Sequence, residues 1–310
     1  MTWWEALVLG IVEGVTEYLP VSSTGHLILA AWLLGLHEDP AQWQAAYTFT
    51  IVIQAGAIAA VLGLYRARLM QMARGLLGRD LEGRRLAVHL LVAFLPAAVL
   101  GPLLDDRIEE YLTGPWPVVG ALFVGAWLML AVAKSRSLNK PLVDSAAGSD
   151  GASGDRGASG GGGAGGGEEG QSQAGRSLQD MDWRMAVLIG FGQCIAMWPG
   201  TSRSMMTIVA ALMLGLRPKD AAEFSFLLGL VTLSAATVFK GAKHGSEMVD
   251  QIGWTNIGLG FLAATVSAAL AVKWFVAFLN RHGLAPFGWY RLALAIVLAL
   301  LLWSGILTAP

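Results

Sequence analysis

Residues 13–26 read EGVTEYLPVSSTGH, and they lie inside an apolar stretch that runs from Trp3 to Leu36. Two glutamates, three serine or threonine hydroxyls beyond Pro20, and a histidine interrupt what would otherwise be a spanning helix. Pro20 lacks an N–H and clashes with the turn before it, so it ends a first half-helix. Ser22, Ser23 and Thr24 are good caps for a second half-helix. The half-segments on either side of such a break hold about 11–17 residues, or about 17–25 Å at 1.5 Å per residue. Most are too short to cross a bilayer core. A re-entrant helix pair, entering and leaving on one side, is the expected arrangement. Non-helical backbone at that depth is tolerated only where protein or a watery cavity surrounds it.

A second apolar region, 184–216, is broken in the same way. Setting LGIVEGVTEYLPVSS (9–23) above IGFGQCIAMWPGTSR (189–203), an offset of 180, brings Gly10 over Gly190, Glu13 over Gln193 and Ser22 over Ser202. Each region has a proline just before a hydroxyl-rich turn. The identities are few, and the topology around them adds weight.

The chain has 310 residues, 55% hydrophobic and only 14% charged, with mean hydropathy +0.57. Soluble domains carry about 25% charge, so this composition predicts an all-α polytopic membrane protein. Six full spans are expected, at about 46–65, 86–104, 116–133, 221–240, 255–273 and 287–307, given about 20 apolar residues per crossing. Trp43, Trp116, Trp254 and Trp289 fall near span ends, as interfacial aromatics do. Arg66, Arg68, Arg74, Arg79, Arg84 and Arg85 crowd the loop 66–85, which the positive-inside rule assigns to the cytoplasm. Lys134, Arg136, Lys140, Arg217, Lys219 and Arg281 fit the same orientation; Lys240 and Lys243 violate it.

Each broken region precedes three full spans. Three is odd, so the second half enters the membrane upside down relative to the first. That is an inverted-topology repeat, whose ligand site lies at the repeat interface near the midplane. The expected organisation is one membrane domain: a first repeat 1–140, a linker 141–180 and a second repeat 181–310. The linker contains 145–177, with 13 glycines and no aliphatic residue larger than alanine. Such a composition cannot bury enough surface to order itself. Two ordinary hairpins without symmetry are the plainer alternative.

Other features narrow the class. The net charge of −1 argues against a nucleic-acid partner. Cys194 is the only cysteine, which rules out an intramolecular disulfide and a cysteine-built metal cluster. The beginning, MTWWEALVLG, lacks the basic region and cleavage site of a signal peptide.

The chemistry resides in the breaks. Glu13 and Glu17 are four apart and share a helix face. Carboxylates at bilayer depth are functional candidates by default, although snorkelling to an interface would also accommodate them. They could share a proton, bind a divalent cation or pair with an arginine. A half-helix N-terminus with free N–H groups suits an anion. Ser23 and His26, one turn apart, could act as nucleophile and base, or His26 could be a packing residue. The second break, Pro199-Gly200-Thr201-Ser202-Arg203-Ser204-Met205-Met206-Thr207, adds a guanidinium suited to phosphate; it could also pair with Glu13 or Glu17. Together these groups fit an anion of high charge density, such as a phosphate ester or diphosphate, with apolar walls for a lipid tail. Asp105, Asp106, Glu109 and Glu110 read as a solvated loop face.

EGVTEYLPVSSTGH and PGTSRSMMT resemble the two signature motifs of the bacterial undecaprenyl-diphosphate phosphatases of the bacitracin-resistance type. FTIVIQAGAIAAVL (49–62) and AEFSFLLGL (222–230) look like that family too. The resemblance covers nearly the whole chain apart from 145–177, which looks like an insertion. Met205-Met206 departs from it, since the family often has small residues there.

The resemblance implies an enzyme of the bacterial plasma membrane, with an outward-facing site. It would remove the terminal phosphate of undecaprenyl diphosphate and so renew the lipid carrier of peptidoglycan and other envelope glycans. A divalent cation, Mg or Ca, would stimulate it. The family's functional residues carry over to Glu13, Glu17, His26 and Arg203, with Ser22, Ser23 and Ser202. The expected roles are catalysis for Glu17, Ser23, His26 and Arg203, and metal binding for Glu13 and Glu17. Substrate binding falls to Ser22, Thr24, Gly25, Gly200, Thr201, Ser202, Ser204 and Thr207. Ser23 would attack the terminal phosphorus, with His26 or Glu17 taking its proton; His26 as nucleophile and direct attack by water are the rivals. Partners would be the polyprenyl diphosphate and membrane lipids, with a homodimer as a further candidate. Architecture alone also admits a secondary transporter or lipid flippase with an anion site at the repeat interface.

Overall fold

The computed structural model describes residues 1–112, 114–138 and 175–307. The glycine-rich segment up to residue 174 lies outside them, as do the side chains of Asp105, Asp106, Glu109, Arg136, Lys240 and Lys243 and the whole of Lys140. Among the described residues there are eleven α-helices and no strand: α1 (Trp3–Thr16), α2 (Ser23–Leu33), α3 (Pro40–Leu64), α4 (Arg66–Leu76), α5 (Leu81–Leu112), α6 (Pro115–Leu138), α7 (Trp183–Ile195), α8 (Arg203–Met213), α9 (Pro218–Ile252), α10 (Trp254–His282) and α11 (Ala285–Trp303).

Six of these are long and apolar enough to cross a membrane: the windows Pro40–Leu64, Leu81–Leu104, Pro115–Ser135, Pro218–Phe239, Trp254–His282 and Ala285–Trp303. They coincide with the six expected spans, and the chain is a multi-pass membrane protein. The differences at the ends have local causes. α3 starts at Pro40 because the Asp39 side chain accepts the Ala41 N–H at 2.9 Å and a proline suits the first turn. α11 stops at Trp303, and Gly305, at φ +69°, turns the chain beyond it. The arginine-rich loop 66–85 is itself helical, divided between α4 and the first turn of α5.

Both broken regions form two short helices. The half-helix pairs α1/α2 and α7/α8 pack together at each break. The remaining packing follows a regular exchange. α1 lies on α10, and α7 lies on α5; α3 lies on α9, and α6 lies on α11. Gly10 is the contact point of the first pair: a Cβ there would meet the Gly260 carbonyl at 2.6 Å. A Cβ at Gly190 would likewise strike the Ala93 carbonyl of α5. Absence of a side chain lets the helix backbones approach closely at both crossings.

The largest core cluster lies beneath the two breaks. Tyr18 meets Phe226 edge-on at 5.4 Å, Phe226 meets Phe275 at 5.9 Å, and Phe275 meets Phe287 at 5.2 Å. Met205 and Met206 are buried in the same cluster. A second cluster joins Leu36, Ala46 and Phe49 to Ile252 and Ala264, with Met1 and Trp43 packed on it. This cluster gathers the start of α1, the end of α2 and the start of α3 around the α9–α10 junction. Asn256 also donates to the Met1 carbonyl at 2.8 Å. At the opposite end, Arg176 donates its backbone N–H to the Gly215 carbonyl at 2.8 Å, and Arg217 returns one to the Arg176 carbonyl at 3.0 Å. Arg176 to Asp180, within the range expected to be linker, are therefore tied to the chain beyond α8.

Candidate active site

Each break turns on one serine. Ser22 and Ser202 are the two non-glycine residues with positive φ among the described residues, at +75° and +72°. That conformation costs of order 1–3 kcal/mol for a residue with a Cβ. Ser22 is the N-cap of α2 and accepts the Gly25 N–H at 3.4 Å; Ser202 caps α8 and accepts the Met205 N–H at 3.3 Å. The two serines matched by the 180-residue offset thus open the two second half-helices in one backbone conformation. The other matched pairs also correspond: Glu13 and Gln193 are both buried, and Gly10 and Gly190 both sit at close helix crossings.

The breaks meet through Glu17. Its Oε2 accepts from Ser23 Oγ at 2.7 Å, and its Oε1 accepts from Arg203 Nη2 at 2.9 Å. Arg203 Nη1 donates to the Ser225 carbonyl at 3.0 Å, and its guanidinium lies over the Tyr18 ring at 5.4 Å. One carboxylate therefore joins a hydroxyl of the first break to a guanidinium of the second. Glu13, one turn back on α1, is 2% exposed and has an Oε2 without a hydrogen-bond partner.

His26 is engaged elsewhere. Its Nδ1 is 2.7 Å from the Ser22 carbonyl, and its Nε2 is 2.7 Å from the Tyr290 hydroxyl. A carbonyl only accepts, so Nδ1 carries the proton, and in the neutral ring Nε2 accepts from Tyr290. The rings of His26 and Tyr290 also stack at 5.6 Å. In this arrangement the Ser23 hydroxyl is bonded to Glu17, and both ring nitrogens of His26 have other partners.

The remaining expected binding residues divide into two groups. Thr24 is exposed, and Ser23 and Ser202 are partly so. Ser204 and Thr207 are fully buried behind the site. Ser204 donates to the Leu19 carbonyl at 2.9 Å, and Thr207 donates to the Arg203 carbonyl at 2.9 Å and lies 2.6 Å from Ser225 Oγ. Ser204 thus braces the second break against the first, and Thr207 ties α8 to α9. Thr201 is buried with its Oγ1 unpartnered. Gly25 packs against Leu122, and Gly200, at φ +92°, presses on Val118. Their contribution is close backbone approach to α6.

Two residues that the sequence reading did not select complete the site, and both come from α11. Tyr290 holds His26. Arg291 is fully buried and donates to the carbonyls of Pro20 at 3.5 Å, Ala121 at 3.2 Å and Gly200 at 3.0 Å. It thus ties the first break, α6 and the second break together. Its signal was present in the sequence: one arginine inside an apolar span, which is a functional candidate by default.

The donor set bears on a metal. Among the described residues no three His, Cys, Asp or Glu side chains converge. Glu13 has a free buried oxygen, whereas both Glu17 oxygens are engaged. A divalent cation that shares its shell with phosphate oxygens and water needs only one or two protein carboxylates, so these residues fit one held chiefly by Glu13.

Known proteins resemble the chain over nearly all of its length. A family model described as bacitracin resistance protein BacA matches residues 6–297. The undecaprenyl-diphosphatase of Sorangium cellulosum is 43% identical over 304 residues, covering 98% of this chain and 86% of its own. That of Nitrosomonas europaea is 38% identical, covering 97% and 95%. That of Acinetobacter baumannii is 37% identical over 294 residues, covering 95% and 93%.

Proposed function

The chain belongs to the bacitracin resistance protein BacA family, and from that premise we propose that it is an undecaprenyl-diphosphatase. It hydrolyses undecaprenyl diphosphate to undecaprenyl phosphate and inorganic phosphate, and so renews the lipid carrier of peptidoglycan synthesis. One observation carries the mechanism: Glu17 holds the Ser23 hydroxyl with one oxygen and the Arg203 guanidinium with the other.

Phosphoryl transfer needs positioning and charge stabilisation more than covalent assistance. Arg203 and the free N–H groups opening α2 and α8 hold the diphosphate and take up charge on the transferring phosphoryl group. Glu17 accepts the Ser23 proton as the Ser23 oxygen bonds to the terminal phosphorus. The bond from that phosphorus to the bridging oxygen breaks, and undecaprenyl phosphate leaves. Water then hydrolyses the phosphoserine and restores Ser23. Arg203, bonded to the other Glu17 oxygen, holds that carboxylate toward Ser23. His26, with both ring nitrogens engaged by Ser22 and Tyr290, holds the first turn of α2 in place beside Ser23. A divalent cation held by Glu13 would neutralise phosphate charge when bound.

The architecture is read as an inverted repeat of two re-entrant pairs, each followed by three spans. The exchange of packing partners between α1–α10 and α7–α5 supports this. So does the clustering of the outer ends of α1 and α2 with the α9–α10 junction, while α7 and α8 open onto the arginine-rich end. The positive-inside rule assigns that end to the cytoplasm. The protein would then lie in the plasma membrane, with Ser23 and His26 approached from the outside, where α2 ends.

The test is phosphate release from undecaprenyl diphosphate by detergent-purified protein. Wild type should release it, and Arg203→Ala should lose it by at least about 100-fold. Acid-quenched phosphoenzyme should carry its label on Ser23. No release would overturn the activity and favour a transporter; a phosphohistidine, or full activity in Ser23→Ala, would overturn the serine route.

A further inference from the structure

We propose that the hairpin of α4 and α5 is a binding platform for anionic phospholipid headgroups, separate from the active site. α4 holds 11 residues, about 16 Å of helix, so it does not cross the membrane. It is clamped to α5 without intervening side chains at two points: a Cβ on Gly75 would strike the Arg84 backbone, and one on Gly83 would strike the Gln71 carbonyl. Arg68 pins the same helix to α9 through Glu223 at 2.6 Å. The platform is therefore rigid.

Its outer surface mixes the two chemistries of a membrane interface. Met70, Leu76, Leu77 and Leu81 are 56–72% exposed. Arg66, Arg74, Arg79, Arg84 and Arg85 are exposed beside them, and among the described residues none pairs with a carboxylate. Met70, Arg74 and Leu77 follow one another at helical spacing on the outward side of α4. Nearby, Arg184 lies over the exposed Trp183 ring at 5.6 Å.

The acidic residues at this end already have hydrogen-bond or ion-pair partners, although Glu82, Asp180 and Asp182 are exposed; Asp180 accepts from the Ser177 N–H and hydroxyl. Asp80 accepts the Gly83 N–H, Asp182 accepts the Met185 N–H, Glu82 accepts from Gln179, and Asp220 and Glu223 hold Arg217 and Arg68. The end thus presents five exposed arginines without a carboxylate partner, among the described residues, beside exposed carboxylates that are already hydrogen-bonded. Apolar side chains entering the headgroup boundary beside outward arginines are how an interfacial helix binds an anionic leaflet. The occupant this chemistry selects is a bilayer of anionic phospholipid.

The full chain in nanodiscs tests this. Hydrogen exchange of the 66–85 amides is compared between phosphatidylcholine and phosphatidylglycerol discs. Phosphatidylglycerol should slow exchange there several-fold, and high salt should remove the difference. The variant Arg74→Gln/Arg79→Gln/Arg84→Gln/Arg85→Gln should lose the difference while keeping its phosphate release in phosphatidylcholine. Equal protection in both lipids, a difference insensitive to salt, or the same protection from soluble glycerol phosphate would each overturn the proposal. The wild-type salt titration decides the matter even where the variant does not fold, and neither readout depends on the catalytic mechanism.

Discussion

Arg203 reaches Glu17 at 2.9 Å across 186 residues of sequence, with both side chains no more than 10% exposed. This pair is a side-chain ion pair between the two breaks, alongside the Ser204 bond to the Leu19 carbonyl and the Arg291 brace. A buried ion pair adds little net stability over apolar packing, but removing one partner strands a charge. Its contribution is therefore best sought in the difference between single and double substitutions. Glu17→Gln and Arg203→Met should each destabilise by about 3–5 kcal/mol, whereas the double variant should lose clearly less than their sum. All three should be at least about 100-fold slower. Thermal unfolding in detergent and phosphate release measure the two effects; additive losses of stability would mean the pair is not coupled.

Tyr290 acts on His26 alone by hydrogen bonding and stacking. Tyr290→Phe keeps the ring and removes the hydroxyl that faces Nε2. A net hydrogen bond of about 1 kcal/mol corresponds to a several-fold fall in kcat/KM, with the unfolding midpoint nearly unchanged. Tyr290→Leu also removes the stacked ring and should fall further. Steady-state kinetics on both variants separates the two contributions, and equal activity in wild type and Tyr290→Phe would remove Tyr290 from the site.

Arg291 is a brace rather than a substrate contact, since it is fully buried. Arg291→Met would remove the donor at the Pro20 and Gly200 carbonyls, each at about 1–3 kcal/mol, while the Ala121 carbonyl keeps its place in the α6 ladder. Unfolding should shift down sharply and activity should fall with it. Arg291→Lys keeps the charge but loses the fork that spans three carbonyls, so it should recover only part of the stability. Full recovery by lysine would show that charge, not geometry, is what the breaks require.

The sequence made part of this legible and hid the rest for physical reasons. Six spans were visible because crossing a bilayer demands long apolar runs. The two breaks were visible because Pro20, Pro199 and Gly200 cannot continue a helix, and because Glu13, Glu17 and Arg203 are costly at depth. Both His26 and Glu17 were legible as partners for Ser23, but the choice between them was not. Spacing along α2 places Ser23 and His26 one turn apart, but the direction of each side chain is decided by Arg203 and Tyr290, which arrive from distant helices. Arg291 carried a signal as strong as that of Arg203 and lacked only a motif around it. α4 escaped notice because an arginine-rich stretch between spans reads as a loop until its packing partner, Gly83 of α5, is known.

The glycine pair Gly10 and Gly190 offers a test of the repeat that does not involve the chemistry. Elsewhere in a helix, alanine for glycine gains about 0.8–1.0 kcal/mol. Gly258 of α10 has open space around it, so Gly258→Ala should stabilise by up to that amount. At Gly10 the added methyl meets the Gly260 carbonyl and the Ala263 Cβ, and at Gly190 it meets the Ala93 backbone. Backbone cannot rotate away, so overpacking of about 1–3 kcal/mol should outweigh the gain in propensity. Both variants should unfold at lower temperature than wild type, and by similar amounts, because each crossing seats a first half-helix on a span of the other half. A tolerated alanine at one position and not the other would separate the two crossings and count against equivalence of the halves.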